Sequence, residues 1–286
     1  MSIYVWTEIP PLNFTANTAN STVQLTKNWT PTEVTLEKST DGNTWSSYTI
    51  WDTITLTNIW DKVYFRNTST TDTGFSIWSS NYYKFVMTGS IAWSWDITYL
   101  LNKNGTDTVS GRYCFGELFY QCSSLTTAPE LPATTLGEYC YHGMFVGCTW
   151  LTTAPELPAT TMFPFCYANM FRWCTWLTAV SKLPATTLGE YCYYCMFYWC
   201  NWLTSIPKLP ATTLSDSCYG HMFRWCSLIK LSTTQTGSYQ TTYRIPTTWT
   251  WTIWTESMDY MFYQTWWTFT WTPTINTTYY TSNTVV

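Results

Sequence analysis

Charged side chains are scarce in this 286-residue chain: they make up 10% of it, and the formal net charge is -4. The chain therefore has no basic surface that would attract nucleic acid or anionic lipid, and we expect no nucleic-acid partner. Thr, Ser and Asn must supply the polar surface instead. This composition suits an extracellular or virion protein better than a cytosolic enzyme.

Long apolar runs are also missing. No stretch of eighteen apolar residues occurs, so we expect no transmembrane helix and no membrane insertion. The start, "MSIYVWTEIPPLNF", lacks a basic region followed by an apolar core, and it gives no support for export by the general secretory route. A trimmed signal, an anchor on another segment, or release inside a phage particle are the alternatives.

Residues that carry chemistry are few. The two histidines are His142 and His221, and neither can be tied to a nucleophile and a third orienting group. Cys192 and Cys195 spell C-x-x-C, but no second pair accompanies them, which argues against zinc. No glycine-rich phosphate loop is present. We expect a non-enzymatic protein with no catalytic residues, metal or cofactor.

The first part of the chain is predicted to form strands. The segments "STVQLTK", "TEVTLEK", "TWSSYTI", "DTITLT", "KVYFRNT" and "YYKFVMTG" are rich in Val, Thr, Tyr and Ile and alternate with period two. The "DGN" at Asp41 to Asn43 is a hairpin signal. We predict an antiparallel β-sandwich-like domain over residues 1–101, followed by a linker over 102–112.

The second part is periodic. Its cysteines begin at Cys114 and form two columns with a step of 26 residues; the columns are Cys114, Cys140, Cys166, Cys192 and Cys218, and Cys122, Cys148, Cys174, Cys200 and Cys226. A fixed period of this size indicates a solenoid, in which each unit buries its apolar face against its neighbours. We expect the cysteines to be free, packed as small hydrophobic side chains.

Each unit is predicted to hold one strand and one helical turn. Pro129 and Pro132 exclude a helix from the "LTTAPELP" segment. Thr135 and Glu138 match a capping box. An apolar stripe follows at i, i+1, i+4, i+5 and i+8, which we interpret as one face of a helix; it consists of Cys140, Tyr141, Met144, Phe145 and Cys148.

The units "CYxxMFxxCTxLTxxPxLPATTL" resemble the BspA-like leucine-rich repeats of bacterial and phage surface proteins, over roughly Arg112 to Leu231. The predicted fold class is thus mixed: an N-terminal antiparallel β-sandwich and a leucine-rich-repeat α/β solenoid. The solenoid is predicted over residues 113–265, ending in a degenerate cap around "MDYMFYQT", with a C-terminal tail over 266–286. The resemblance implies adhesion or host recognition.

Tryptophan is abundant, with twenty residues, and most of them stand where a turn favours glycine. Gly147 shares its column with Trp173, Trp199 and Trp225. Other examples lie in "KNWTPTEV", "IWDTITL", "IWDKVYF", "SIAWSWDI", "TTWTWTIWT" and "TWWTFTW", whereas Trp45 resembles an ordinary tryptophan. We hypothesise that most of them represent a UGA codon, which some genetic codes read as glycine and others as tryptophan.

Two other interpretations of the tryptophans stay open. Genuine rings would stack into two exposed rows that a glycan could bind, or they could pack in the interior. The rows would be Trp173, Trp199 and Trp225, and Trp150, Trp176 and Trp202. The first unit interrupts both rows with Gln121 and Ser124, which argues against a selected ligand platform.

We predict that the binding surface is the strand face, because it presents one side chain per repeat at regular spacing. Its residues are Thr127, Glu130, Glu156, Lys182 and Lys208. The expected partner is a host or cell-surface protein or glycan, with the oligomeric state open. The expected function is adhesion or binding outside the cell or at its surface; the alternative is a structural or receptor-binding component of a phage tail or fibre.

Overall fold

The computed structural model describes residues 11–29, 33–70, 75, 81–245, 256–265 and 272–286. Within these residues the chain is nearly all β, with fifteen strands in several small open sheets and one four-residue 3-10 helix, Ile97–Leu100. The strands are β1 (Asn13–Ala16), β2 (Ser21–Lys27), β3 (Leu36–Ser39), β4 (Ser46–Tyr48), β5 (Thr53–Leu56), β6 (Lys62–Asn67), β7 (Tyr83–Thr88), β8 (Ile91–Ser94), β9 (Thr108–Val109), β10 (Thr135–Leu136), β11 (Ser205–Ile206), β12 (Leu231–Ser232), β13 (Thr241–Arg244), β14 (Thr278–Thr281) and β15 (Thr284–Val285).

Two antiparallel sheets form the first part of the chain. One has the order β4-β3-β6-β1-β8 and the other the order β5-β2-β7. Their apolar faces share a core, since Phe14 of β1 contacts Phe85 of β7 with ring centroids 4.8 Å apart, and Phe65 of β6 contacts the same ring at 5.7 Å. The alternation of buried and solvent-facing residues along β2 and β6 explains why their sequences were recognisable as strands.

The predicted hairpin at Asp41 to Asn43 is confirmed: β3 and β4 pair antiparallel, with Leu36 opposite Tyr48. Gly42 adopts φ +77°, and the Asp41 carboxylate accepts the N–H groups of Asn43 and Thr44 at 2.8 and 2.7 Å. These bonds favour the ionised form and lower the pKa of Asp41. The turn chemistry of this segment therefore determined its conformation.

Within "SIAWSWDI", the interpretation of Trp93 as a residue at a turn position is wrong. Ile91–Ser94 forms β8, which pairs antiparallel with β1, and Trp93 is buried with 3% exposure. Its ring packs edge-on against Phe14 and Phe119, with centroids 4.1 and 4.4 Å away. Trp93 is thus a core residue, whereas Trp95, two residues later, is exposed and has φ +76°.

Each unit contains a ten-residue segment that we call the turn ribbon; the ribbons span residues 113–122, 139–148, 165–174, 191–200, 217–226 and 256–265. The first five begin 26 residues apart, and the sixth begins 39 residues after the fifth. Alternate N–H groups bond to the next ribbon: Tyr141 N donates to Cys166 O at 3.0 Å and Phe145 N to Met170 O at 2.9 Å. The N–H groups between them close local turns, as Met144 N does on Tyr141 O. In the ribbons from 113 to 225, every fourth residue has a positive φ.

The predicted fold class is therefore wrong. The described residues contain no α-helix, so they cannot form an α/β solenoid. The apolar stripe has a strict period of four, whereas an α-helix rotates about 40° between residues four apart and would also bring i+3 and i+7 to its apolar face. Those two positions, Gly143 and Gly147, have φ +59° and +73° instead. The stripe belongs to the four-residue repeat of the ribbon.

The predicted capping box is also wrong. Thr135 lies in β10, which pairs parallel with β9 through Thr135 opposite Thr108, so it begins no helix. Elsewhere on this side of the units, single parallel bridges join neighbours, as between Thr153 and Ala179 and between Thr161 and Thr187. The units therefore stack through short extended contacts on one side and through the ribbons on the other.

The interior of the stack contains columns of repeated side chains. Phe119, Phe145, Phe171, Phe197, Phe223 and Phe262 stack with centroids 5.4–5.7 Å apart. The second cysteine column lies beside them, and each thiol donates to the phenylalanine carbonyl of the preceding unit, as Cys174 Sγ does to Phe145 O at 3.1 Å. The cysteines thus satisfy backbone acceptors in an apolar interior.

The first part of the chain forms the layer below the first unit. Phe85 of β7 stacks on Phe119 with centroids 5.5 Å apart, and its carbonyl accepts the thiol of Cys122 at 2.9 Å. The predicted linker contributes β9 to the first pairing of the stack. At the other end, residues 256–265 continue the ribbons, because Phe223 N donates to Met261 O. The described part of the predicted tail forms β14 and β15, which pair with β12, β13 and β11.

Candidate binding face

Four charged residues form one column on the extended side of the stack. They are Glu130, Glu156, Lys182 and Lys208, one from each of four consecutive units, and we call them the charge column. All four are exposed, and each precedes a buried leucine: Leu131, Leu157, Leu183 and Leu209. Because neighbouring residues of an extended segment point in opposite directions, the buried leucines fix the charged side chains outward.

Backbone hydrogen bonds hold both ends of the charge column. Glu130 N donates to Trp95 O at 3.2 Å, and Lys208 N donates to Val286 O at 2.9 Å. Adjacent extended chains lie about 4.8 Å apart, so the column extends over about 14 Å. Of the ion pairs that the described residues form, none includes a member of the column.

Thr127, the fifth predicted binding residue, lies in the neighbouring column of the first unit and is exposed. Its hydroxyl accepts the N–H of Trp93 at 2.9 Å and donates to the carbonyl of Trp93 at 3.1 Å. The structure thus places all five predicted residues on one side of the stack. The Thr127 hydroxyl is engaged in these two hydrogen bonds to Trp93 of β8, whereas the four charged side chains face solvent.

The tryptophan columns lie elsewhere on the stack. Trp173, Trp199 and Trp225 occupy the last positive-φ position of their ribbons, with φ +64°, +66° and +67°, as Gly147 does with +73°. Of the twelve tryptophans within the described residues, seven have a positive φ; they are these three and Trp29, Trp51, Trp60 and Trp95. Only a few per cent of non-glycine residues adopt such φ values, so Trp29, Trp51, Trp60 and Trp95 lie at positions that favour glycine. In the ribbons other residue types also have a positive φ, such as Gln121 with +59° in the column of Trp173. The tryptophans of "TTWTWTIWT" and "TWWTFTW" lie outside the described residues.

Some ring faces in these columns are covered, although Trp150, Trp176 and Trp202 stay 51–58% exposed. Trp199 stacks on Trp225 with centroids 5.2 Å apart, and Trp176 stacks on Trp202 at 6.3 Å. The guanidinium of Arg172 lies 4.5 Å from the ring centre of Trp173. A sugar that binds an aromatic ring packs against its face, and the contacts of ring with ring or with an arginine leave fewer free faces, mainly in the column of Trp173, Trp199 and Trp225.

These arginines are the part of the surface that the sequence interpretation missed. Arg172 and Arg224 lie in one column with Tyr198 between them, at 4.8 and 5.6 Å from its ring centre. Arg224 also lies 4.6 Å from the ring centre of Tyr263. The 26-residue spacing of Arg172, Tyr198 and Arg224 in the sequence indicates that they share a column, and it could have identified this surface.

All eleven cysteines are free and buried. Burial raises the pKa of Cys148 and Cys200 well above their usual value, and it raises that of Cys195 to about 11. A thiol becomes a nucleophile or a metal ligand as the thiolate, so these groups are held in their unreactive form. The described residues also contain no group of three or more His, Cys, Asp or Glu side chains arranged to hold a metal ion.

The two histidines lie on the ribbons, apart from the charge column. Burial lowers the pKa of His142 to about 4, and its Nε2 lies 3.4 Å from the side-chain amide nitrogen of Asn169. Burial and the nearby guanidinium of Arg224 lower the pKa of His221, whose Nδ1 lies 3.2 Å from that arginine. Both rings are therefore mainly neutral at pH 7.

Comparison with family models, with curated proteins and with solved structures finds no match for this chain. The resemblance to BspA-like repeats therefore stays a prediction. Within the described residues, no helix has the length and apolar character needed to cross a membrane.

Proposed function

We propose that this protein is a non-enzymatic binding or adhesion protein that recognises a protein or glycan through the charge column. It would act outside the cell, at the cell surface or on a virion. The observation that carries the proposal is the charge column itself: four exposed charges, one per unit, with no ion pair to one another, project from a hydrogen-bonded stack.

Two physical features make this column suited to recognition. Its backbone is ordered before binding, so little conformational entropy is lost there on association. Its charges lie at a fixed spacing, which selects partners whose charges have a matching spacing and order. The column of Trp173, Trp199 and Trp225 offers less to a ligand, because its ring faces contact one another or Arg172.

The test compares two double variants on an array of neutral and sialylated oligosaccharides and on a panel of purified glycoproteins. Glu156→Ala with Lys182→Ala should weaken binding at least tenfold, since it removes the centre of the charge column. Trp176→Gly with Trp202→Gly should leave binding unchanged. Circular dichroism checks that both variants are folded. The opposite result would reject this proposal: if the tryptophan variant loses binding to a glycan and the charge variant retains it, the aromatic rings are the binding site.

A further inference from the structure

We infer that the charge column is an interface between two copies of this chain, docked face to face with their stacks antiparallel. The inference deepens the proposed function, because it names the partner of the same face as a second copy. Its basis is the order of the charges along the stack: Glu130, Glu156, Lys182 and Lys208.

The column is antisymmetric about its midpoint, which lies between Glu156 and Lys182. A partner that complements it must carry two positive charges followed by two negative charges at the same spacing. A second copy that faces the first, and is related to it by a 180° rotation about an axis that lies between the two faces and crosses the column at right angles at its midpoint, presents that order. Glu156 then meets Lys182 of the second copy, Glu130 meets Lys208, and the symmetry repeats both contacts.

Within the charge column two carboxylates balance two ammonium groups; beyond Glu130 lies the partly buried carboxylate of Asp96. A uniformly charged partner, such as a polyanionic glycan, would be attracted at one end of the column and repelled at the other. The order of the charges therefore selects one register and one orientation, which is the role that charged pairs serve best at interfaces.

The surroundings of the column permit close approach. Two residues after each charge stands a proline, in the series Pro132, Pro158, Pro184 and Pro210. Three residues before each charge stands a small or short side chain: Thr127, Thr153, Ala179 and Ser205, of which Ser205 is buried. The charged side chains are longer than these neighbours along the chain, and they can reach those of a second copy. Because the contact is electrostatic and exposed at its edges, it should be weak and sensitive to salt.

Charge reversal tests the pairing. Glu156→Lys alone places two ammonium groups opposite each other at both symmetric central contacts, and Lys182→Glu alone places two carboxylates there. Each single variant should self-associate at least tenfold more weakly than the wild type. A 1:1 mixture of the two variants restores opposite charges at both contacts, so the mixture should associate about as well as the wild type. The double variant E156K/K182E should also associate, because its order remains antisymmetric.

Sedimentation equilibrium of the full chain at 50 and 500 mM NaCl measures these outcomes, and circular dichroism checks the fold of each variant. The pair Glu130→Lys and Lys208→Glu repeats the design at the outer contacts, should a central variant fail to fold. A wild type that stays monomeric at 50 mM NaCl and the highest soluble concentration would overturn the inference. Single variants that associate as strongly as the wild type would also overturn it.

The same variants separate this inference from the proposed function. If glycoprotein or glycan binding is lost in Glu156→Lys while the wild type is monomeric, the proposed function stands and the interface between copies is rejected. If the mixture of single variants associates and the array and panel show no binding, the interface stands and recognition of those partners is rejected.

Discussion

Trp60 stands at a backbone position that favours glycine, so replacing it by glycine should stabilise the protein. Asp61 N donates to Asn58 O at 3.2 Å and closes a turn in which Trp60 is the third residue, with φ +74°. Ile59, the second residue, has no positive φ. This combination is that of a type II turn, whose third position is normally glycine.

The magnitude follows from three contributions. An L-residue in the left-handed region costs about 1–2 kcal/mol. Glycine adds about 0.5–1 kcal/mol of backbone entropy to the unfolded chain, which opposes part of this gain. The Trp60 side chain is 73% exposed, and unfolded chains already bury part of their surface, so truncation removes almost no burial. We therefore expect Trp60→Gly to raise the free energy of unfolding by about 0.5–1 kcal/mol.

The assay is urea denaturation followed by circular dichroism, with Trp60→Ala as the matched control. Both variants lack the ring, so their difference isolates the backbone effect, and glycine should be more stable than alanine by about 1 kcal/mol. At Ile59 the order should reverse, with Ile59→Ala more stable than Ile59→Gly by about 0.5–1 kcal/mol. A Trp60→Gly variant that is no more stable than Trp60→Ala would refute the reasoning.

The gene provides an independent check on the tryptophan hypothesis. If the tryptophans with positive φ represent recoded glycine, UGA codons should occur at Trp51, Trp60 and Trp173, and a UGG codon at Trp45. The Trp45 ring lies 4.0 Å from the guanidinium of Arg66, a contact that glycine could not make. UGG codons at the positive-φ positions would reject the hypothesis.

Three further predictions concern the interior of the stack. Cys174→Ala should lower the free energy of unfolding by about 1–2 kcal/mol, because it removes a buried thiol that donates to Phe145 O. Cys174→Ser keeps a donor and should lower the free energy of unfolding by less. Urea denaturation measures both. Titration with a thiol reagent should give little reaction with the folded chain and eleven thiols after unfolding without reductant, whereas several reactive thiols in the folded chain would contradict the observed burial. The pKa of His142 is about 4 in the folded chain and 6.5 in the unfolded chain, so the unfolded chain binds more protons between these pH values. The free energy of unfolding should therefore fall by at most about 3 kcal/mol as the pH drops from 6.5 to 4. His142→Ala, which introduces the residue found at this position in the next unit, should abolish that loss in thermal melts at different pH values.

The strands of the first part could be predicted because the signal is local. The segment from Ser21 to Lys27 alternates between buried and partly buried residues, and β2 has these bounds. The hairpin at Asp41 to Asn43 depends on a glycine with a positive φ and on a carboxylate that accepts two nearby N–H groups. The strand β8 was missed because its segment, Ile91–Ser94, is short and its tryptophan was interpreted as a substitute for a turn glycine.

The turn ribbon could not be predicted from local patterns, because half of its hydrogen bonds are not local. The apolar stripe of Cys140, Met144 and Phe145 fits one face of a helix if only hydrophobicity is considered. In the structure, Phe145 N bonds to Met170 O of the next unit, so a single ribbon has no complete set of partners. The period of the stripe distinguishes the two structures: it is four residues in the ribbon, whereas an α-helix has 3.6 residues per turn.

In a repeat protein, it is easier to predict which residues share a column than to predict the backbone conformation of each unit. The sequence can therefore indicate the composition of a surface even where the predicted conformation is wrong. Residues 26 apart occupy the same place in successive units, whichever conformation the unit adopts. The order Glu130, Glu156, Lys182, Lys208 was therefore a valid description of one surface even though the predicted helices were wrong. The structure adds that all four side chains are exposed and that a buried leucine follows each of them. Any partner of this face must accommodate a reversal of charge halfway along the column, and a copy of the same chain in antiparallel orientation satisfies that requirement by symmetry.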